Sequence, residues 1–458
     1  MLLIVNLTGN NSCNSVTHCQ TIVHNMLYVM KKKFSFLPLL FIFCCAHAQK
    51  ENLPKTSAGF PVNYEEDSVG TYVLPELLML SNGQKVMDAK TWTEKRRPEL
   101  LHLFETIEYG KMPGKPADLH FDVFDKGTPA FNGKAIRKQV TVYFTKDTSD
   151  HKMTLLIYIP TNVKQAVPLL LNISFSAINQ ITDDPGVKIG YTWTKEGKRV
   201  LADQPSRFPK MNIEQFMDAG IGFATVYYGD IEPDFKAGLP YGIRSQYLKP
   251  GQTAPAADEW GAISAWAWGL SRAMDYFETD KQVDAKRIAL QGASRLGKTV
   301  LWTGVHDTRF KVVIASISGE GGAAISRRNY GETIQHITDT SRYNYQFAAN
   351  YHSYANKVNT LPFDAHMLVA LMAPRPLLLQ TGDTDYWSDP KGEFLSAVAA
   401  APAYKLFGLK GPEPTTPMPA AKDQSLLMNP LGYYMHAGPH AVFPEDWQLF
   451  VTYLKKYL

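Results

Sequence analysis

No cysteine lies beyond Cys45 in this 458-residue chain; all four (Cys13, Cys19, Cys44, Cys45) fall near its start. The rest of the chain therefore has no disulfide, no thiol nucleophile and no cysteine-built metal site. Histidines are present but unsuited to a metal. His102, His120, His151, His306, His336, His352 and His366 form no H-E-x-x-H or comparable pair. A charge surplus is missing too: residues 1–48 hold three lysines and no acid, which leaves 44 basic against 43 acidic residues beyond them. So even a balance carries no electrostatic footprint for nucleic acid. The apolar run Phe34–Phe43 falls well short of the ~20 residues a membrane-spanning helix needs.

What the start of the chain does have is an export pattern. "MKKKFSFLPLLFIFCCAHAQ" (Met30 to Gln49) places three lysines, an apolar run and then Ala46-His47-Ala48 in succession. That is the order of a secretory signal, with translation expected from Met30 and cleavage after Ala48. Residues 1–48 are thus read as upstream sequence and signal peptide, and the product as periplasmic or secreted. Bulky residues before Cys44 and Cys45 disfavour lipidation there. Residues 49–458 are read as one domain with an N-terminal extension; their length and the 45% hydrophobic composition suit a large core.

Strand and helix signals alternate along that domain. A helix is expected from Thr91 to Gly110, with Thr93 as its cap. Paired strands "KQVTVYFT" and "MTLLIYIP" follow, then the continuous apolar strands "VPLLLNISF" and "GIGFATVYYGD". Residues 230–257, rich in Pro, Gly and Ala, read as a long surface loop of the kind that carries function or disorder. "WGAISAWAWGLSRAMDYFET" is apolar almost all round, hence a buried helix. Strand "IALQG", helix "KTVLWTGVHD", strand "FKVVIASIS", strand "RPLLLQTGD" and two further helices complete a mostly parallel sheet covered on both faces.

Within this alternation, "GASRLGKT" (Gly292–Thr299) admits two chemistries. It satisfies the phosphate loop G-x-x-x-x-G-K-[ST]. It also sets Ser294 on a strand-to-helix turn, where an α/β-hydrolase holds its nucleophile. A phosphate loop needs a following strand that ends in Asp for Mg²⁺, and "KVVIASIS" has none. The elbow needs an acid and then a histidine downstream. "GDTDYWSDP" supplies Asp383, Asp385 and Asp389 just past a strand, and "MHAGPHAVFPEDW" supplies His440, with His436 its close rival. Ser294, Asp385 and His440 are the expected triad. Arg295 adds a backbone N–H and a guanidinium beside the oxyanion, and Lys298, one turn on, faces the same cleft. No metal or cofactor is required.

These motifs resemble the glucuronoyl esterases, carbohydrate esterase family 15, whose elbow signature is G-C/H-S-R-x-G-K. The likeness extends through "WTEKRRPELLHLFETIEYGKMPGKP", "SGEGGAAISRRNYGE", "LPFDAHMLVALMAPRPLLLQTGDTDYWSDPKGEF" and "GPHAVFPEDW", and covers most of residues 74–450. The resemblance implies an α/β-hydrolase fold and hydrolysis of esters of (4-O-methyl-)glucuronic acid in glucuronoxylan. It makes Ser294 the nucleophile, Arg295 the oxyanion donor and His440 the base, with Lys298 and Trp387 on the uronate. Two positions depart from the family. Ile317 stands where many relatives place the catalytic Glu, so the acid is assigned to Asp385, with Glu320 as alternative. Gln346 stands where a tryptophan usually packs on the sugar. Other readings stay open: an acetyl xylan or other carbohydrate esterase, or a catalytically silent glycan-binding relative.

Overall fold

Strands of two kinds build the central sheet of the protein, whose computed structural model describes residues 53–149 and 151–458. The leader, the start at Met30, the cleavage after Ala48 and all four cysteines lie outside the described residues. Three strands, β1 (His120–Ala130), β2 (Ala135–Tyr143) and β3 (Lys152–Pro160), form an antiparallel meander. Six more run parallel: β4 (Val167–Ser174), β5 (Gly222–Tyr227), β6 (Val283–Ala293), β7 (Val312–Ser316), β8 (Leu377–Gly382) and β9 (Leu431–His436). The sheet order is β9-β8-β7-β6-β4-β5-β3-β2-β1. Exchange of β4 and β5 in that order sets β4 between β6 and β5, so that β6 is paired on both sides, with β7 and β4. This is the α/β-hydrolase fold.

The parallel strands read as unbroken apolar runs because both their faces are buried. Leu169, Leu171, Ile288, Leu290, Val313 and Leu377 point into one core. Their neighbours Leu170, Ala289, Val312, Ile314 and Leu378 point into the other. The first core is covered by α1 (Ala262–Phe277), α2 (Arg295–His306) and α3 (Pro390–Lys405). The second is covered by α4 (Pro444–Tyr457). Every residue of α1 is buried, as its all-round apolar sequence requires.

Polar side chains cross the middle of the sheet in a row. Thr225 Oγ1 donates to Asn172 Oδ1 (3.0 Å), Asn172 Nδ2 to Gln291 Oε1 (2.7 Å) and Gln291 Nε2 to Ser316 Oγ (3.2 Å). The row ties β5, β4, β6 and β7 together directly below the turn that carries Ser294. Truncating one member would strand a buried partner, at about 1–3 kcal/mol.

The fold differs from the sequence reading at several elements. β1 and β9 were not expected. β1 is mostly exposed, and β9 ("LGYYMH") holds a glycine and two tyrosines in place of an aliphatic run. The N-terminal helical run spans 89–108 with alternating α and π turns, and its cap is Asp88, whose Oδ1 accepts from Thr91 N–H at 2.8 Å. Thr93 therefore lies inside the helix. Asp has the same capping chemistry as Thr, placed earlier in the chain.

Candidate active site

Ser294 sits between the last residue of β6 and the first of α2 with φ 59° and ψ −128°. An L-residue rarely adopts that conformation, and the surrounding backbone enforces it. Ser294 N–H donates to Ser316 O (2.9 Å), and Ser294 O accepts from Lys298 N–H (3.1 Å). The flanking glycines are there for space. A Cβ on Gly292 would lie 2.3 Å from Leu296 O, and one on Gly297 would lie 2.6 Å from Ser316 O. Thr299 Oγ1, the group a phosphate loop would offer to Mg²⁺, donates instead to Arg295 O at 2.9 Å. The stretch is built as an elbow.

Two adjacent parallel strands deliver the acid and the histidine. The ends of β8 and β9 are in register, Gly382 opposite His436. A Cβ on Gly382 would meet Gly438 O and His436 Nε2, each at 2.6 Å, so glycine is what lets the two following loops touch. The three aspartates after β8 then have three separate tasks. Asp383 accepts from Gly438 N–H (2.7 Å) and anchors the histidine loop. Asp389, at φ 52°, caps α3 through Gly392 N–H (2.9 Å) and pairs with Arg328 (2.8 Å). Asp385 Oδ2 lies 2.7 Å from His440 Nδ1, with the carboxylate side chain 3% exposed and the imidazole 40% exposed. Ser388 Oγ also approaches Nδ1, at 3.1 Å. A carboxylate on Nδ1 fixes the tautomer that leaves Nε2 as acceptor.

The rival groups are engaged elsewhere. His436 Nδ1 meets Asp446 Oδ2 at 3.0 Å and Gln380 Nε2 at 2.8 Å, and its Nε2 donates to Pro439 O at 2.9 Å. Burial opposes its charge, yet Asp446 and the Pro439 carbonyl outweigh that and raise its pKa. It braces the histidine loop against α4. Glu320 accepts from Ser326 Oγ (2.7 Å) and Tyr351 OH (3.2 Å). Burial pushes its pKa up to about 8, so it is mostly neutral at pH 7 and unsuited to balancing an imidazolium. Ile317 is buried with φ 43° and donates its N–H to Gln380 O at 2.6 Å.

Cations line the other side. The Arg295 guanidinium pairs with Asp234 and lies over the Tyr343 ring, 4.6 Å from its centroid. Asp234 also accepts from Tyr345 OH (2.8 Å) and Gln346 Nε2 (2.7 Å). Gln346 is 3% exposed, with its amide committed to that carboxylate. Lys298 is buried, which lowers its pKa against the pull of Glu332, and its Nζ makes no hydrogen bond or ion pair among the described residues. Glu332 pairs with Arg342 (3.2 Å) and donates its N–H to Trp387 O (2.8 Å), linking the lysine's counter-charge to the tryptophan. The Trp387 ring is met by Arg342 at 5.3 Å and by His336 at 5.1 Å. Sequence reasoning missed Asp234, Glu332, Arg342 and Tyr343. The available signals were the function-prone loop 230–257 and the aromatic-rich "RYNYQF".

A family model described as "Glucuronyl esterase, fungi" matches residues 255–408, a span that contains α1 through α3. Over 406 residues the chain is 41% identical to a carbohydrate esterase from an unknown prokaryotic organism, covering 85% of this chain and 91% of that protein. The glucuronoyl esterase from Solibacter usitatus is similar in structure, with TM-score 0.80 and 44% identity over 85% of this chain and 99% of that one. A promiscuous family 15 esterase from a marine bacterial metagenome gives TM-score 0.77 and 39% identity over 87% and 100%. With likeness of this extent surrounding the elbow, the paired histidine and the cationic wall, the chain belongs to carbohydrate esterase family 15, the glucuronoyl esterases, and is a carboxylic ester hydrolase.

Proposed function

We propose that this protein is an exported serine esterase that hydrolyses esters of (4-O-methyl-)glucuronic acid in glucuronoxylan through an acyl-enzyme. The observation that carries the mechanism is the 2.7 Å Asp385–His440 pair, which follows β8 and β9 of the sheet whose β6 leads into the elbow. His440 Nε2 takes the proton of Ser294 Oγ as the oxygen attacks the ester carbonyl. The oxyanion forms beside the Arg295 guanidinium and the first N–H groups of α2, which are oriented before the reaction starts. His440 returns the proton to the departing alcohol, and water repeats the sequence to release the uronic acid. Asp385 keeps Nδ1–H in place and balances the imidazolium. The leader Met30–Ala48 supports export, since polymeric glucuronoxylan is met outside the cell.

Lys298 supports the uronate assignment. A buried lysine whose ammonium has no hydrogen-bond partner among the described residues is suited to the ring hydroxyls or carboxyl oxygens of a sugar acid, and a plain acetyl group offers it nothing. Hydrolysis of benzyl glucuronate and of an acetyl ester by wild type and Lys298→Ala tests this. One charge-assisted hydrogen bond, about 1.5–3 kcal/mol, predicts a roughly 10- to 100-fold loss of kcat/KM on the uronate ester and little change on the acetyl ester. Because burial lowers the lysine's pKa, the uronate preference should also fade with rising pH before the ordinary lysine value of 10.5. Equal losses on both esters would count against uronate recognition. Gln346 in place of a sugar-stacking ring favours a second reading, a broader carbohydrate esterase. Dominant acetyl-ester turnover would select it. The intact acid–histidine pair argues against a catalytically silent glycan binder.

A further inference from the structure

One buried carboxylate, Asp234, gathers side chains from two distant segments and from nearby Tyr228. Its Oδ1 accepts from Tyr345 OH (2.8 Å) and Gln346 Nε2 (2.7 Å). Its Oδ2 takes Arg295 Nη1 and Tyr228 OH, the latter at 3.4 Å. The Asp234 side chain is 5% exposed, against 25% for Arg295. Arg295 is thereby held at one corner, with Tyr343 4.6 Å and Phe175 5.9 Å from its guanidinium carbon. Its Nε and Nη2 make no hydrogen bond among the described residues. An unrestrained arginine has about 2 kcal/mol of rotamer entropy to lose, and a donor that must be ordered during the reaction gives back that much of its benefit.

We propose that Asp234 is a positioning residue for Arg295, braced by Tyr345 and Gln346, which fixes the guanidinium so that its remaining donors face the ester oxygen. This rests on the reading of Arg295 as an oxyanion donor. Gln346 then acts at the site through Asp234 and Arg295, in place of contact with the sugar.

The test is a double-mutant cycle on benzyl glucuronate. Arg295→Ala should lower kcat by about 10²- to 10³-fold, the usual cost of an oxyanion donor. Asp234→Asn should lower kcat by roughly 10-fold or more with KM nearly unchanged, and should have almost no further effect in the Arg295→Ala background, because two residues acting as one unit are not additive. Added guanidinium should partly restore Arg295→Ala, and that rescue should be lost in the double variant. Where Asp234→Asn does not fold, Tyr345→Phe combined with Gln346→Ala loosens the same carboxylate and enters the same cycle. An equal loss from Asp234→Asn in both backgrounds, or no loss in either, overturns the positioning role and leaves Arg295 as oxyanion donor standing. Full activity of Arg295→Ala overturns both.

Discussion

Ser294→Ala is expected to lower kcat by roughly 10⁴- to 10⁶-fold, the range seen when a triad nucleophile is removed. The argument is geometric. Ser294 alone stands at the elbow, and the fold imposes φ 59° and ψ −128° to project its side chain. Such backbone strain is worth about 1–3 kcal/mol, and alanine keeps it because it keeps the Cβ. Glycine adopts the same angles freely. Thermal unfolding should therefore leave Ser294→Ala close to wild type and put Ser294→Gly above Ala, by about 1 kcal/mol after the glycine's extra unfolded-state entropy is subtracted. Turnover surviving in Ser294→Ala would remove the serine mechanism. A glycine variant no more stable than alanine would show that the elbow is relaxed.

The second large effect belongs to the acid. Asp385→Asn should cost about 10⁴-fold in kcat, since an amide leaves His440 in the wrong tautomer and without charge balance. Glu320→Gln should change kcat less than about 3-fold, because burial already keeps Glu320 mostly protonated at pH 7 and glutamine reproduces the neutral group. Both variants are to be read at pH 7 on the same uronate ester. Loss confined to Glu320→Gln would return the acid to the segment that follows β7. Loss confined to Asp385→Asn would place it after β8.

Much of this was legible in the sequence because it is local. Continuous apolar runs announce β4, β5 and β8, since a strand buried on both faces has no reason to alternate. The turn "GASRLGKT" announces the elbow through its glycines, and the order Ser294, Asp385, His440 follows the sheet. Other features needed the fold. His436 and His440 are four residues apart and chemically alike. Only the contact with Asp446, brought in by α4, assigns the first to bracing and leaves the second with Asp385. Asp383, Asp385 and Asp389 likewise differ in what approaches them, not in their immediate sequence. Asp234 was the least readable. Its partners lie 61 positions away at Arg295 and 112 away at Gln346, and no periodicity connects them. β9 was hidden for a different reason: its burial comes from neighbours, so its own residues need not be aliphatic.

The place of β9 has a consequence for how activity is lost. Ser294 is rooted in β6, which has a strand on each side, whereas His440 follows β9, the edge strand, which pairs with β8 alone. Edge elements open locally at a lower free energy than the centre. Release of the six register pairs between Leu377–Gly382 and Leu431–His436 would carry off the base and leave the nucleophile's platform intact. Activity is then expected to be lost on heating before the core melts, which residual activity followed alongside thermal unfolding would check. On that expectation the working lifetime of this esterase follows the grip of its outermost strand, and a melting temperature measures something else.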